Sequence, residues 1–397
     1  MVTPGTTISV EQVSAAVEAA GLAPSIHNTQ PWRWRFRVDT LELFADLSRA
    51  LPVVDPDHRQ LLVSCGAALL NGWLSLRAAG VDVEVGEFPD GPDLATGRLA
   101  TLTIIGYRPP TEDETRLAAA IIRRHTDRRP FTPAALPADE IRMLRRAAEA
   151  EGCWLAPLTG EDARLELSVL LARADWIEQH DPKYQAELAS WIRDDPAAAD
   201  GIPRPAALSS AQPRTAEFAA RDFTGGSAGG AAGTGFAGEG GSAAGTGSAR
   251  GAGSDGGAGS ARGAGSDGGA DGVGGGGAGG GQAASADEAG AWMRAARVEH
   301  PGVLVLGTDA DGPADRLRAG RALGRVLLTA TAEGLATSPL GQAVDIEATR
   351  VLVRSATGGM GHTQMIMRVG YPDASAPLLP QTARRPVTDV LEHFRDD

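Results

Sequence analysis

Lysine is almost missing from this chain. Of its 37 basic residues only Lys183 is a lysine, so 36 are arginines. Any cation it offers a ligand is therefore a guanidinium, whose paired N–H donors match phosphate. Cysteine is equally scarce: Cys65 and Cys153 make neither a disulfide framework nor a zinc site. Positive charge is in deficit, with a formal net charge of -13, which argues against nonspecific nucleic-acid binding and favours solubility. His58, His180, His300 and His362 lie apart, without metal-ligand spacing. Asp55-Pro56-Asp57 is too short for a calcium loop. No Gly-x-Gly-x-x-Gly follows a strand and opens a helix, and no Gly-x-Ser-x-Gly stands at a strand–helix turn. No apolar run reads as a membrane span, and Met1 to Thr7 lacks a basic and an apolar signal region. The expectation is a soluble cytoplasmic protein with no membrane and no nucleic-acid partner.

What is present is a chain of 397 residues, 42% hydrophobic, long enough for two domains. Ser9 and Gln12 predict a capping box, and Ile8 with Val13 a hydrophobic staple, at the start of a helix with Val10, Val13, Val17 and Ala20 on one face. Gly21 reads as its C′ residue. Alternation predicts a strand from Trp32 to Val38, a turn at Asp39-Thr40 and a partner strand Leu41–Ala45. A long, apolar, buried helix is expected over about Gln60 to Ala79, then strands over Val81–Val85 and Leu99–Tyr107. Helices follow from about Glu112, near Pro137, and over Asp162–Gln179 and Pro182–Arg193, with a strand at Cys153–Leu158. Further on come a buried strand Gly302–Thr308, a helix Pro313–Glu333, a short helix Ile346–Ser355, a strand Gln364–Val369 and a last short helix ending near Phe394. The pattern is α+β.

Between Thr224 and Ser285 the composition collapses to glycine, alanine and serine, with Ala-Arg-Gly-Ala-Gly-Ser-Asp-Gly-Gly-Ala at 249–258 and again at 261–270. Such a segment has too little apolar surface to offset its ordering entropy and reads as a disordered insertion.

Three stretches carry candidate chemistry. Pro24-Ser25-Ile26-His27-Asn28-Thr29-Gln30-Pro31-Trp32 is a polar loop stiffened by two prolines. It is either a cradle for a flat polar heterocycle or a plain helix-to-strand connection. Arg123 to Arg129 is the densest positive patch; Arg124 and Arg128 could fork around a phosphate with Thr126, or the patch is a solvated helix end. Leu335 to Gln342 is a second stiffened polar loop.

Pro24-Ser25-x-x-Asn28-x-Gln30-Pro31-Trp32, followed by an Arg/aromatic strand, resembles the flavin-contacting motif of the nitroreductase-like FMN proteins, most closely the Acg subfamily. Arg124-His125-Thr126-x-Arg128 resembles their phosphate and ribityl site, and Arg384-Arg385-Pro386 the cationic site near the end of those chains. Gly334 to Leu340, with Ser338 and Pro339, resembles their loop over the flavin ring. The resemblance covers nearly the whole chain outside the insertion. It implies that Pro24, Ser25, Ile26, Asn28, Gln30, Arg124, His125, Thr126, Arg128, Ser338, Pro339, Leu340, Arg384 and Arg385 bind FMN, with NAD(P)H as reductant. The motifs occur once each and are split across the chain. That implies a fused pseudo-dimer, one nitroreductase-like half at residues 1–110 and another at 111–223 with 286–397, around one composite flavin site, monomeric in solution.

Two functions follow from this resemblance. One is an FMN oxidoreductase passing hydride through N5 to a small aromatic or quinone acceptor, with no side-chain acid or base required. The other is a flavin-holding protein whose site is closed by a lid from Asp181 to Phe223.

Overall fold

The computed structural model describes residues 8–94, 97–129, 131–195, 197–204, 218, 300–356, 358–373 and 382–393. The Gly-rich insertion, the helix end at Phe394 and most of 205–223 lie outside these residues. All the described residues fall within one compact unit, Met1–Ala228 with Ala296–Asp397.

Helix α1 (Val10–Gly21) begins with the reciprocal capping box: Ser9 N–H donates to Gln12 Oε1 and Gln12 N–H to Ser9 Oγ. Val13, Ala16, Val17 and Ala20 are buried, and Ile8 joins the same core. Val10 is not on that face; it is exposed. Gly21 is the last helical residue rather than C′, because Leu22 is the cap and keeps right-handed helical geometry. Strands β1 (Trp32–Arg37) and β2 (Thr40–Ala45) pair through a turn at Val38-Asp39, one residue earlier than read, so that Thr40 opposes Arg37. Trp32 and Trp34 point inward while Arg33, between them, faces outward.

Helix α2 (Arg59–Ala78) is stopped by Gly80 at a φ of 79°. It is long and apolar enough to cross a membrane, contrary to the expectation that no such run exists, yet most of it is buried inside this fold. Strands β3 (Val81–Glu87) and β4 (Arg98–Tyr107) come next. Helix α3 (Glu112–Ile121), α4 (Ala138–Glu149), β5 (Trp154–Pro157), α5 (Glu161–His180), α6 (Pro182–Trp191), and the two-residue strands β6 (Ile192–Arg193) and β7 (Ile202–Pro203) follow.

After residue 299 come β8 (Gly302–Thr308), α7 (Pro313–Ala332), β9 (Ala336–Pro339), α8 (Gln342–Asp345), α9 (Glu347–Ala356) and β10 (His362–Gly370). The stretch read as a second polar loop is thus partly strand: Ala336 to Pro339 pair with Met367 to Gly370. Nor is the chain's last element a single helix. Val387–Val390 form one turn, α10, and Leu391–His393 form β11, parallel to β1.

Among the described residues, two antiparallel-rich sheets form beside the small parallel pair β6-β7. One runs β11-β1-β2-β4-β3 and the other β5-β8-β10-β9. Counted from β1 and from β5, strand order and pairing sense agree. In each, a 20-residue helix links the second strand to the third. These helices, α2 and α7, pack on each other, and each turns its other side to its own sheet. Their crossing is set by glycine. A Cβ on Gly66 would lie 2.0 Å from the Leu317 carbonyl oxygen, and one on Gly320 would lie 2.1 Å from that of Val63.

Candidate functional site

A cleft opens where the loop after α1 meets the start of α2, the middle of α7 and the end of β9. It encloses about 780 Å³, open solvent at its mouth included. Pro24, Ser25, Ile26 and His27 form one wall, with Gln60, Val63 and Ser64 of α2 beneath. Thr126 and Arg128 enter from the α3–α4 connection, and Ser338, Pro339, Gly341, Gln342 and Asp345 face them. Leu323 and Met365 supply apolar floor.

The first loop is held in an unusual shape. Residues 26–28 make one 3₁₀ turn, and His27, Asn28 and Gln30 have φ of 48°, 55° and 50°. Non-glycine residues seldom adopt such angles, and each costs on the order of 1–3 kcal/mol unless surrounding contacts enforce it. Those contacts are present. Gln30 N–H donates to Ser25 Oγ at 3.0 Å, and Ile26 N–H to Ser64 Oγ at 3.4 Å. Asn28 Nδ2 donates to the carbonyls of Gly201 and Ala383, at 3.1 and 3.2 Å. Gln30 Nε2 donates to Ala199 O at 2.8 Å, while its Oε1 accepts the Arg385 N–H at 2.9 Å. Asn28 and Gln30 therefore tie the loop to its neighbours and do not line the cleft. Leu340 likewise faces the core, its N–H on Ile366 O.

The arginines divide into two kinds. Asp127 N–H donates to Thr337 O, which pins the α3–α4 connection, and its carboxylate takes Arg129 at 2.6 Å. His125 sits at the surface with Nε2 3.7 Å from Asp127, a contact that raises the imidazole's pKa. Arg385 is occupied internally, by Gln30 O, Asp389 O and, at 3.6 Å, Asp46. Arg124 and Arg384 differ. Arg124 is buried and donates to Leu22 O at 3.2 Å; Arg384 donates to Thr382 and the Ala383 carbonyl. Neither makes an ion pair with a described carboxylate, and the Nε of each is buried without a hydrogen-bond partner. Burial, with Arg384 close by, pushes Arg124 down to about 9, and burial pushes Arg384 down to about 10. Both remain charged at neutral pH. A buried Arg124 and a half-buried Arg384 near enough to act on it, neither with a counter-charge among the described residues, call for an anion.

The structure thus brings Pro24, Ser25, Ile26, Thr126, Arg128, Ser338 and Pro339 to one cleft, with Arg124 and Arg384 beside its loop. It places Asn28, Gln30, His125, Leu340 and Arg385 elsewhere. His27, Gln60, Ser64, Gln342 and Asp345 line the cleft without having been singled out. Gln60 and Ser64 carried a usable signal: two polar residues at i and i+4 near the start of a mostly apolar helix.

No family model matches the chain. It is, however, 32% identical over 385 residues to "Putative NAD(P)H nitroreductase Rv3131" of Mycobacterium tuberculosis, covering 96% of this chain and 91% of that protein. It is 29% identical over 395 residues to "Putative NAD(P)H nitroreductase acg" of the same organism, covering 99% and 98%. The mycobacterial "Uncharacterized protein Rv3127" is 28% identical over 383 residues. These near-full-length matches, on a mixed α+β fold with the motifs in order, place the chain in the nitroreductase-like family that includes Acg.

Proposed function

We propose that this protein is an FMN-dependent oxidoreductase that relays hydride from NAD(P)H to a small aromatic or quinone acceptor. The observation that carries this reading is the pair Arg124, buried, and Arg384, half-buried, neither of them paired with a described carboxylate. A phosphate monoester is an anion of the right size and geometry for two guanidiniums. Arg124 and Arg384 would hold the FMN phosphate, with Thr126 and Arg128 near it. Pro24 to His27 and Ser338 to Gln342 would flank the ring. When bound, FMN supplies the hydride relay; the chain supplies binding, orientation and exclusion of water.

One site per chain is part of this proposal. The matching strand orders support two related halves. The α2–α7 contacts do too, since Val63 and Gly66 meet Gly320 and Leu317 with equal spacing. Ser64, next to Val63, lines the cleft, whereas Arg318, next to Leu317, reaches Glu87 at 3.1 Å and Asp315 at 3.3 Å. Arg321 joins Glu87 and Glu151 at 2.8 and 2.5 Å, so ion pairs fill the corresponding place in the other half.

The second reading, a flavin-holding protein with a closed site, is favoured by the strap formed by residues 182–195 and 197–204. Its Glu187 carboxylate accepts the N–H groups of Val53 and Val54, at 3.1 and 2.8 Å, and Asp200 pairs with Arg49. Tyr184, Leu188 and Ile202 pack with Leu51, Val54 and Ile26.

Absorbance of the purified, FMN-supplemented protein tests the first reading, with a flavin-to-chain ratio near one expected. A protein that takes up no flavin would overturn it, and a ratio near two would overturn the single-site account. Anaerobic NADPH then separates the two functions: a turning-over site bleaches, a closed one stays yellow.

A further inference from the structure

Gln60 sits where burial makes every unpaired polar atom count. It lies in the first turn of α2, lines the cleft beneath the Pro24–His27 wall and is only 6% exposed. Its backbone is fixed on both sides. The N–H donates to Asp55 Oδ1 at 3.0 Å, and the carbonyl accepts the Ser64 hydroxyl at 2.6 Å. Ser64 Oγ also receives the Ile26 N–H, so α2 and the loop make one continuous wall.

The side-chain amide is held at one end. Nε2 donates to Asp345 Oδ1, on α8, at 2.7 Å. A carboxylate only accepts, so this contact decides which way the amide faces: the NH2 group turns to α8 and the oxygen turns away from it. Among the described residues no donor meets Oε1, yet this oxygen is not sealed from solvent. The opening beside Gln60 is the cleft. The chain therefore presents the cleft with a fixed acceptor that lacks a donor. Such an oxygen is costly to keep in a site where little water reaches, and a ligand N–H relieves that cost.

Asp345 lines the same stretch of cleft, and its negative charge makes this wall unfit for a phosphate. What meets Gln60 is then the ring. An oxidised isoalloxazine carries a single N–H, that of the imide N3 between its two carbonyls. We propose that Gln60 reads this imide: Oε1 accepts the N3–H, and Asp345 is the positioning residue that keeps the oxygen turned towards it. This rests on the flavin reading above. The contact fixes the ring's orientation in its plane and selects flavins whose imide is free.

The test compares FMN with N3-methyl-FMN, which lacks that proton. The wild-type chain is expected to bind FMN roughly tenfold more tightly, the upper range for one hydrogen bond. Gln60→Leu is similar in bulk but has no acceptor, and its preference should fall to about twofold or less. A purely steric preference would survive that change. In Asp345→Asn the new amide can donate to Gln60 Oε1, so the preference should shrink with Gln60 still in place. With 15N-labelled FMN, the N3–H should exchange with water more slowly in the wild type than in Gln60→Leu, a difference that a merely structural role would not produce. Equal wild-type affinities for the two flavins, or a preference and an N3–H exchange rate unchanged in Gln60→Leu, would overturn the assignment and leave the flavin reading standing. An undiminished preference in Asp345→Asn would overturn the positioning role. A wild-type chain that binds neither flavin would overturn the flavin reading and this inference with it.

Discussion

Gly66 and Gly320 face each other across the contact of α2 and α7, close enough that a Cβ on either would lie 2.9 Å from the other's Cα. Nothing flexible stands in the way, since the nearest atoms are the backbone carbonyls of Leu317 and Val63. Gly66→Ala and Gly320→Ala should each destabilise the fold by about 1–3 kcal/mol or more, because the helices must move apart. Thermal or denaturant unfolding measures it; unchanged midpoints would mean that the helices separate at no cost.

Arg124→Ala and Arg384→Ala should each weaken FMN binding by roughly 2–5 kcal/mol, the range for removing one partner of a buried charge pair. Arg385→Ala should weaken it less, because that guanidinium already serves Gln30, Asp389 and Asp46. Quenching of flavin fluorescence gives the three affinities. Equal losses would restore Arg385 to the phosphate site.

Glu114 ties α3 to α2. Its carboxylate takes the Arg77 guanidinium at 2.9 and 3.1 Å, and Arg108 at 3.0 Å. Burial pushes this carboxyl up, but its hydrogen bonds from Arg77, Thr111 and Arg108 outweigh burial and hold it down to about 2, against an ordinary 4.5. The unfolded chain therefore binds the proton more readily. The stabilisation is complete above about pH 4.5 and disappears as the pH falls through about 2. Glu114→Gln should lower stability at pH 7 and flatten the stability–pH curve in that window, which unfolding curves across pH 2–6 would reveal.

Asp200 is gripped by Arg49 and Arg193, and both guanidiniums lie over the Trp191 ring. Asp200→Asn should loosen the strap without unfolding the rest. Hydrogen exchange should quicken over residues 192–203 and stay unchanged in α2 and α7. Uniform change across the chain would show that the strap is not a separate unit.

Much of the fold could be read from local pattern. The Ser9/Gln12 capping box, the alternation of Trp32 to Arg37 and the glycine stops at Gly80 and Gly334 are each decided within a few residues. What local pattern missed depends on distant partners. Ala336 to Pro339 carries loop punctuation and becomes a strand because β10 offers it an edge, and Leu391–His393 is extended only because β1 accepts it. The cleft shows the same division. Thr126, Ser338 and the Pro24–Ile26 stretch were visible as short polar strings. Gln60, Ser64 and Asp345 become cleft residues only once α2 meets α8, where Gln60 Nε2 donates to Asp345 at 2.7 Å. Asn28 and Gln30 look like ligand contacts in sequence, yet their side chains bond backbone groups of Ala199, Gly201, Ala383 and Arg385, each more than a hundred residues away.

The β1–β11 pairing brings together Arg33 and Glu392, 359 positions apart. At about 5–20 residues per second of synthesis, β1 waits roughly 20–70 s for that neighbour. During the wait its outer N–H and C=O groups form an open edge, the kind that recruits strands from other nascent chains. Arg33, Arg35 and Arg37, projecting at alternate positions, put like charge on any second copy that approaches the same edge. When Glu392 arrives it accepts Arg33 and Arg35 at 3.4 and 3.1 Å. The arginines that end as salt-bridge partners thus begin as guards, and replacing them with apolar residues should cost soluble yield during translation more than stability afterwards.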